Sequence, residues 1–396
     1  MKKAIICSSL AILFVTITLF FFLIRQVPLE VTTLKRTSFA ELPGWKNAQV
    51  RTSLQAFQLS CQTFLKQDPE KWMGNEYVKF QVKDWYPACH AANNLKKTAS
   101  DTEIRLFFQT WFSPMAFYKN KPIQGLFTSY FMPTIKGSLV KTANYTVPLY
   151  GVPSNLLIVN LEPFKQPALK KKRIIGRLKN KKIIPFYTRE EINHGAIKHT
   201  APVLAWIKDP LDRVFLEIEG SGVIELDNHK HLYIGYAEEN GAPYTSIASV
   251  LIKEGILTRE AASSKNIKAY FHQHPKEIDR VLNQNKSFVF FSELKTHAAL
   301  GAQGVALTPG YSLAVDPSSI PYGTPTWLST TLPSPDNQSG TPFNRLMVAQ
   351  DTGGAIRGTV RGDIFWGAGE KAYWMSNKMQ NKGRYWLLLP NEAFQH

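Results

Sequence analysis

The chain has 396 residues, of which 44% are hydrophobic and 12% aromatic, and it contains no low-complexity tract. This composition excludes a disordered or fibrous chain, and the length suits two globular domains. The formal net charge of +17 would indicate a nucleic-acid partner if the protein were cytosolic.

The N-terminus predicts a membrane anchor and thereby decides the compartment. Lys2 and Lys3 precede an uncharged run over 4–24, which Arg25 closes. At about 1.5 Å per residue, a helix of this length covers the roughly 30 Å hydrocarbon core of a bilayer. No small-residue cleavage site follows, so residues 1–25 are predicted to be an uncleaved anchor, with a cleaved signal peptide as the alternative. The folded part is then expected to be exported. It meets no nucleic acid, and its expected anionic partners are envelope polymers or lipid headgroups.

The predicted elements change in character along the chain. Residues 26–37 are predicted to be a linker, and a helical pattern follows over 51–120. After Gly125, short apolar runs bounded by turn residues predict strands at 126–133, 147–149, 156–159, 214–218, 232–236 and 287–291. Two further helices are predicted at 246–254 and near 276–283, and short strands return over 301–389. The pattern predicts an α+β chain dominated by small β-barrels.

Cysteines are sparse in the exported part. Outside the predicted anchor only Cys61 and Cys89 remain. They are consistent with one disulfide or with two buried thiols. No Cys-x-x-Cys sequence and no paired His spacing is present, so neither a metal site nor a redox motif is predicted.

Three aspartates in the C-terminal third are the candidate catalytic residues. Asp316 and Asp351 each follow a short apolar run that reads as a buried strand, and Asp363 lies in Gly-Asp-Ile-Phe-Trp-Gly. Carboxylates at such positions are costly unless they are hydrogen-bonded or have a chemical role. The alternative is that Asp316 and Asp351 only stabilise turns.

A series of ordered motifs makes the chain resemble a known family. They are Phe-Thr-Ser-Tyr-Phe (127–131), Phe-Tyr-Thr-Arg (186–189), Leu-Ala-Trp (204–206), Glu-Gly-Ser-Gly (219–222), Gly-Tyr-Ala (235–237), Asn-Gly (240–241), Pro-Tyr-Thr-Ser-Ile (243–247), Phe-Val-Phe-Phe (288–291) and Gly-Ala-Gln-Gly-Val (301–305). With the three aspartates, they resemble the membrane-bound lytic murein transglycosylase A family over residues 38–392. The C-terminal segment 301–392 resembles the three-aspartate domain.

The resemblance implies a double-psi β-barrel with a second β-domain inserted into it and a groove between them. The barrel domain would comprise 38–133 and 295–396, and the insert 134–294. The implied reaction cleaves the β-1,4 bond between N-acetylmuramic acid and N-acetylglucosamine in peptidoglycan and leaves a 1,6-anhydro end. No cofactor or metal is implied. The expected partners are glycan strands and, through the N-terminal segment, a membrane. The chain is expected to be a monomer.

The same resemblance assigns the site residues. A lytic transglycosylase needs a single carboxyl, because the C6 hydroxyl of the sugar replaces water, and that carboxyl needs a raised pKa. Asp363 would be this acid/base, Asp351 its supporting partner, and Asp316 would hold the turn beneath. The expected glycan-binding residues are Thr128, Tyr130, Glu219, Gly220, Ser221, Gly353 and Gly354, and the backbone at Gly220 and Gly222 is expected to approach the sugar closely.

Glu219 departs from the family pattern, in which Gln is usual. An ionised Glu219 close to Asp363 would raise the pKa of the acid through like charge. It could also act as a second catalytic carboxylate, in which case the enzyme would be a hydrolytic muramidase. Two further alternatives are an aspartic protease, since Asp-Thr-Gly occurs at 351–353 but only once, and a non-catalytic envelope protein that binds glycan.

Overall fold

The computed structural model describes residues 31–164, 173–337 and 339–394. The predicted anchor at 1–25 lies outside these residues, as do Lys170, Lys171 and Lys172 of the most basic run. None of the helices within the described ranges is both long and apolar enough to cross a membrane.

Eighteen strands are formed within the described residues. They are β1 (Thr33–Arg36), β2 (Phe112–Lys119), β3 (Lys121–Pro122), β4 (Gly125–Met132), β5 (Thr134–Ser138), β6 (Val147–Tyr150), β7 (Leu157–Asn160), β8 (Arg173–Lys179), β9 (Lys182–Pro185), β10 (Val203–Ile207), β11 (Ser221–Leu226), β12 (His231–Glu239), β13 (Val289–Glu293), β14 (Ser312–Val315), β15 (Pro325–Leu332), β16 (Thr341–Asp351), β17 (Arg361–Ala368) and β18 (Asn381–Pro390).

Nine α-helices accompany these strands in the same part of the chain. They are α1 (Arg51–Phe64), α2 (Tyr86–Asn94), α3 (Asp101–Trp111), α4 (Arg189–Asn193), α5 (Pro210–Glu219), α6 (Ile247–Lys253), α7 (Ser264–Gln273), α8 (Ile278–Leu282) and α9 (Glu370–Lys378).

Six strands close into a barrel, which confirms the predicted fold class. The strand order is β18–β15–β16–β14–β17–β4, and β4 closes the ring by pairing with β18. Two of the pairs, β14 with β16 and β17 with β4, are parallel, and the others are antiparallel. The main core cluster includes fully buried Trp327, Leu346 and Leu387, and residues of α1 to α3 belong to the same cluster.

A disulfide joins α1 to α2 beside this core. Cys61 and Cys89 are fully buried, and their Cα atoms lie 5.3 Å apart. Of the two states that the sequence left open, the structure therefore has the disulfide.

A second group of strands forms a separate layer. Strands β5, β6 and β10 to β13 form a six-stranded sheet in the order β13–β12–β11–β5–β10–β6, while β7, β8 and β9 form a small sheet of three. These nine strands all lie between Thr134 and Glu293 and pair with one another. We propose the boundaries 38–133 with 295–396 for the barrel domain and 134–294 for the insert.

Four expectations from the sequence were wrong in detail. The helical pattern predicted over 51–120 ends at Trp111, and strand β2 follows it. The strand predicted at 214–218 is part of helix α5, because Asp209 caps the helix, Pro210 occupies its first turn and Gly220 ends it. The predicted linker at 26–37 contains strand β1, which pairs with β2. Helix α9 interrupts the strands predicted over 301–389, and it buries only Ala372 and Met375, too few apolar positions for a clear helical pattern.

Candidate functional site

Two of the three aspartates lie in one row across the barrel wall. On strand β14, Ala314 is aligned with Asp351 of β16 on one side and with Asp363 of β17 on the other. Beyond β17, Asp363 is aligned with Thr128 of β4. Two strand spacings place the Cα atoms of the aspartates about 10 Å apart. Ala314, the residue between them, is small and only 3% exposed. The β14–β16 register shifts just before Ala314, a local irregularity of the kind that re-aims side chains at functional sites.

The carboxyl of Asp363 is held through one of its two oxygens. The Thr128 hydroxyl donates to Asp363 Oδ1 at 2.5 Å, and Arg361 Nη2 donates to Thr128 Oγ1 at 2.7 Å. Burial raises the pKa of Asp363, while the Thr128 hydrogen bond and the charge of Arg361 act in the opposite direction. Among the described residues, Thr128 is the one side chain that donates a hydrogen bond to Asp363, and it donates to Oδ1. The Oδ2 of Asp363 is therefore the oxygen available to a ligand.

Both carboxyl oxygens of Asp351 are already engaged. Tyr130 donates its hydroxyl to Oδ2 at 2.6 Å, and the backbone N–H of Ala302 donates to Oδ1 at 2.9 Å. Burial raises the pKa of Asp351 to about 6, and the nearby charge of Asp363 adds to the rise. Burial, followed by the charge of Asp351, raises the pKa of Tyr130 well above its ordinary value, so Tyr130 remains a hydrogen-bond donor.

Asp316 is bound to the backbone of two turns. It accepts hydrogen bonds from the amide and hydroxyl of Ser318 and, at 2.7 Å, from the amide of Gly358. Burial alone would raise the pKa of Asp316, but these hydrogen bonds outweigh it and lower the pKa. Asp316 therefore stays ionised and connects the turn after β14 to the loop before β17. These are the contacts of a structural residue.

Glu219 reaches the same region from the inserted domain. It is the last residue of α5, and its Oε2 accepts the backbone N–H of Phe131, next to Tyr130, at 3.1 Å. Burial raises the pKa of Glu219 to about 8, and the charge of Asp363 contributes. Glu219 is therefore mostly neutral at pH 7. This differs from the expectation that an ionised Glu219 raises the pKa of Asp363, because burial is the main cause at both sites.

We expect Glu219→Gln to change the pH dependence of stability. Below about pH 4.5 the Glu219 carboxyl is protonated in both the folded and the unfolded chain. Between about pH 4.5 and 8 it ionises only in the unfolded chain. The folded state therefore loses stability as the pH rises through this range. Gln cannot ionise and avoids this loss. Its thermal midpoint should match that of wild type near pH 4 and exceed it at pH 9, by roughly 1–2 °C per kcal/mol for a chain of this size.

A matched control for this measurement is Glu293→Gln, which removes one charge from an exposed position of the same domain. Its curve of thermal midpoint against pH should run parallel to that of wild type. Parallel curves for Glu219→Gln as well would mean that the Glu219 carboxyl ionises equally easily in the folded and unfolded chains.

The expected glycan-binding glycines and serine occupy different environments. Gly220 has φ +76° and ends α5, which explains the need for glycine there. A Cβ at Gly222 would meet Leu216 Cδ1 at 2.4 Å, so the close approach there is to the protein itself and not to a sugar. Ser221 is only 5% exposed. Gly353 and Gly354 follow Asp351 in an open loop, with nothing within 4 Å of a Cβ built at Gly354.

A buried polar network behind Asp351 was not predicted. Gln350 is fully buried, donates to Ser60 Oγ at 2.9 Å and accepts from Ser312 Oγ at 2.6 Å. Ser60 donates to Gln303, whose backbone N–H bonds the Gln350 carbonyl. This network fixes the turn that presents the Ala302 amide to Asp351. The signal in the sequence was Gln350 itself, a polar residue at the end of an apolar run.

A cleft of about 380 Å³ lies between the two domains, and none of the three aspartates lines it. Phe365, two residues beyond Asp363 on β17, forms part of its barrel side and contacts the Tyr130 ring at 5.2 Å between centroids. On the insert side, Tyr233 stacks on His297 at 4.7 Å. The cleft lies where the groove between the domains is predicted, and Phe365, which is only 2% exposed, connects it to the packing around Tyr130.

Comparison with known proteins gives the same family as the sequence motifs. Residues 126–292 match the family model of the MltA specific insert domain, and residues 311–389 match the 3D domain. The membrane-bound lytic murein transglycosylase A homolog of Buchnera aphidicola is 33% identical over 302 residues, which cover 74% of each chain.

Solved structures agree over nearly the whole chain. MltA from Neisseria gonorrhoeae, in its monoclinic form, is 30% identical with a TM-score of 0.76, covering 92% of this chain and 96% of its own. The membrane-bound lytic murein transglycosylase of Agrobacterium tumefaciens is 25% identical with a TM-score of 0.80, covering 91% and 98%. The chain therefore belongs to the membrane-bound lytic murein transglycosylase A family.

Proposed function

We propose that this protein cleaves the β-1,4 bond between N-acetylmuramic acid and N-acetylglucosamine in peptidoglycan, and that Asp363 is its single general acid/base. One observation carries the assignment. Asp363 combines a pKa raised by burial with an oxygen, Oδ2, that the described residues leave available for a ligand. Asp351 has both oxygens engaged, and Asp316 has a lowered pKa.

In the first step the protonated Asp363 donates its proton to the glycosidic oxygen. Because Oδ1 accepts from Thr128, the proton is placed on Oδ2. The bond from C1 of the muramic acid to that oxygen breaks, and positive charge develops on the sugar. Arg361, bonded to Thr128, holds the hydroxyl in the orientation that leaves Oδ2 facing the ligand.

In the second step the Asp363 carboxylate removes the proton from the C6 hydroxyl of the same sugar. The C6 oxygen attacks C1 and closes the 1,6-anhydro ring, which regenerates protonated Asp363 without water. Asp351, whose pKa of about 6 leaves it mainly ionised at pH 7, supplies negative charge near the developing cation.

The remaining expected residues are proposed to bind the glycan. Thr128 and Tyr130 line the row beside Asp363, and Glu219 approaches it from the insert. A neutral Glu219 can donate a hydrogen bond as the more usual Gln does. Gly220, Ser221, Gly353 and Gly354 are proposed as further contacts. We also propose a periplasmic monomer in the bacterial cell envelope, attached by residues 1–25.

The deciding experiment is digestion of purified sacculi by the protein, followed by mass analysis of the released muropeptides. We expect anhydromuropeptides, each lighter by one water than the hydrolysis product. Products with a reducing end would instead identify a hydrolytic muramidase. Glycan binding without release of any product would identify a non-catalytic binding protein.

A further inference from the structure

The small sheet β7–β8–β9 has one face made entirely of apolar residues. In its register Val159 lies opposite Ile174, Leu157 opposite Gly176, and Leu178 opposite Ile183. Residues directly opposite each other in a sheet point to the same side. These positions therefore form one surface, here called the front face.

The front face is open to solvent. The exposed fractions are 36% for Leu157, 47% for Ile174, 65% for Leu178 and 49% for Ile183. Single exposed apolar residues are ordinary, but four on one face of a three-stranded sheet form a patch of the kind that marks an interaction site.

Part of the opposite face packs on the inserted domain, while Ile158 of that face is 51% exposed. Arg173 forms an ion pair with Glu238 at 2.9 Å, and the Arg177 guanidinium lies 4.0 Å from the centre of the Tyr187 ring. Ile175 fills the space beside Gly241, where a Cβ would meet Ile175 Cβ at 2.8 Å. The sheet is thus fixed from behind, and its apolar front face is presented outward.

The tip of the β8–β9 hairpin is basic. Lys179, Lys181 and Lys182 surround the turn and are all exposed, and Asn180 and Lys181 both adopt positive φ, as a tight two-residue hairpin turn requires. Five basic residues and no acidic residue occur over 173–185. Leu178 and Ile183, the most exposed side chains of the front face, precede and follow Lys179 and Lys182 in the chain. The Lys179–Lys182 pair starts on the opposite side of the sheet, at its very end.

We propose that the front face and the lysine tip dock on the surface of an anionic phospholipid bilayer. Apolar side chains enter the boundary between headgroups and acyl chains, and lysines near an anionic surface are attracted to it. A second copy of this chain fits less well, because both copies carry Lys179, Lys181 and Lys182 beside the front face and no acidic residue over 173–185 to pair with them. Carboxylates of a glycan would pair with the lysines, but they would not cover the apolar side chains of Leu178 and Ile183.

The test is hydrogen–deuterium exchange of the full chain reconstituted in vesicles. On vesicles containing phosphatidylglycerol, we expect the amides over 174–183 to exchange several-fold more slowly than on pure phosphatidylcholine. The triple variant Lys179→Gln/Lys181→Gln/Lys182→Gln and the double variant Leu178→Ser/Ile183→Ser should each lose that protection. The control Lys253→Gln/Lys265→Gln/Lys276→Gln removes the same charge from other exposed positions and should keep it.

Three outcomes would overturn the proposal. Equal exchange on both lipids would exclude recognition of anionic headgroups. Protection in detergent without lipid that increases with protein concentration would identify a second copy as the occupant. Protection retained in both the triple lysine variant and the Leu178→Ser/Ile183→Ser variant would place the contact elsewhere. Unchanged thermal midpoints of the variants would show that the sheet itself remains folded.

Discussion

Asp363→Asn should reduce turnover of peptidoglycan by about 10²–10⁴-fold, the usual contribution of a general acid/base. The amide keeps the shape of the carboxyl and can still accept the Thr128 hydroxyl, but it cannot transfer a proton to the glycosidic oxygen. The fold and glycan binding should persist. Release of anhydromuropeptides from sacculi measures the first effect, and co-sedimentation with sacculi measures the second.

Two matched variants separate the roles of the three aspartates. Asp351→Asn should lower the rate less than Asp363→Asn, because its proposed contribution is charge and not proton transfer. Asp316→Asn should chiefly lower the thermal midpoint, because Asp316 connects Ser318 to Gly358. If Asp363→Asn stayed within about tenfold of wild type, proton transfer would have to be assigned to another carboxyl.

The rate of the wild-type enzyme should also depend on pH in a defined direction. The first step needs Asp363 protonated, so the rate should fall as the pH rises through the pKa of this carboxyl. Burial raises that pKa, and the fall should therefore begin at a higher pH than for an ordinary aspartate.

Removal of the disulfide should lower the free energy of unfolding by about 3–4 kcal/mol, as expected for a bridge that closes a loop of about 30 residues. The variant Cys61→Ala/Cys89→Ala takes away the link between α1 and α2, whose cysteines lie 28 residues apart. Urea unfolding measures the change.

The stability of the wild-type protein in reductant should approach that of this double variant, and the variant should not respond to reductant. Helix α1 also carries Ser60 of the network behind Asp351. The activities of wild type and the double variant should therefore be compared at a temperature where both proteins are folded. A double variant as stable as wild type would mean that helix packing alone fixes α1 against α2.

The sequence by itself determined the class of the fold and the candidate chemistry. The ends of strands β14 and β16 could be read from short apolar runs, and these placed Asp316 and Asp351 at strand ends, as the structure has them. The ordered motifs were sufficient to indicate the family. These are local signals, and each lies within a few consecutive residues.

Only the tertiary structure decided what those residues do together. The row of Thr128, Asp363, Ala314 and Asp351 depends on pairing among four strands, and the register between distant strands is not written in any one of them. Helix α5 was mistaken for a strand because a short apolar run fits both periods, and its caps decided the outcome.

The burial of each carboxyl and the hydrogen bonds that it accepts are the physical reason for its pKa. The neutral state of Glu219, the raised pKa of Asp363 and the lowered pKa of Asp316 all depend on which surroundings enclose each carboxyl. The composition of a segment does not contain those surroundings, because they come from strands, turns and a helix that are distant in the chain. The residue types set the possible chemistry, and the packing of the barrel against the insert chose among the possibilities.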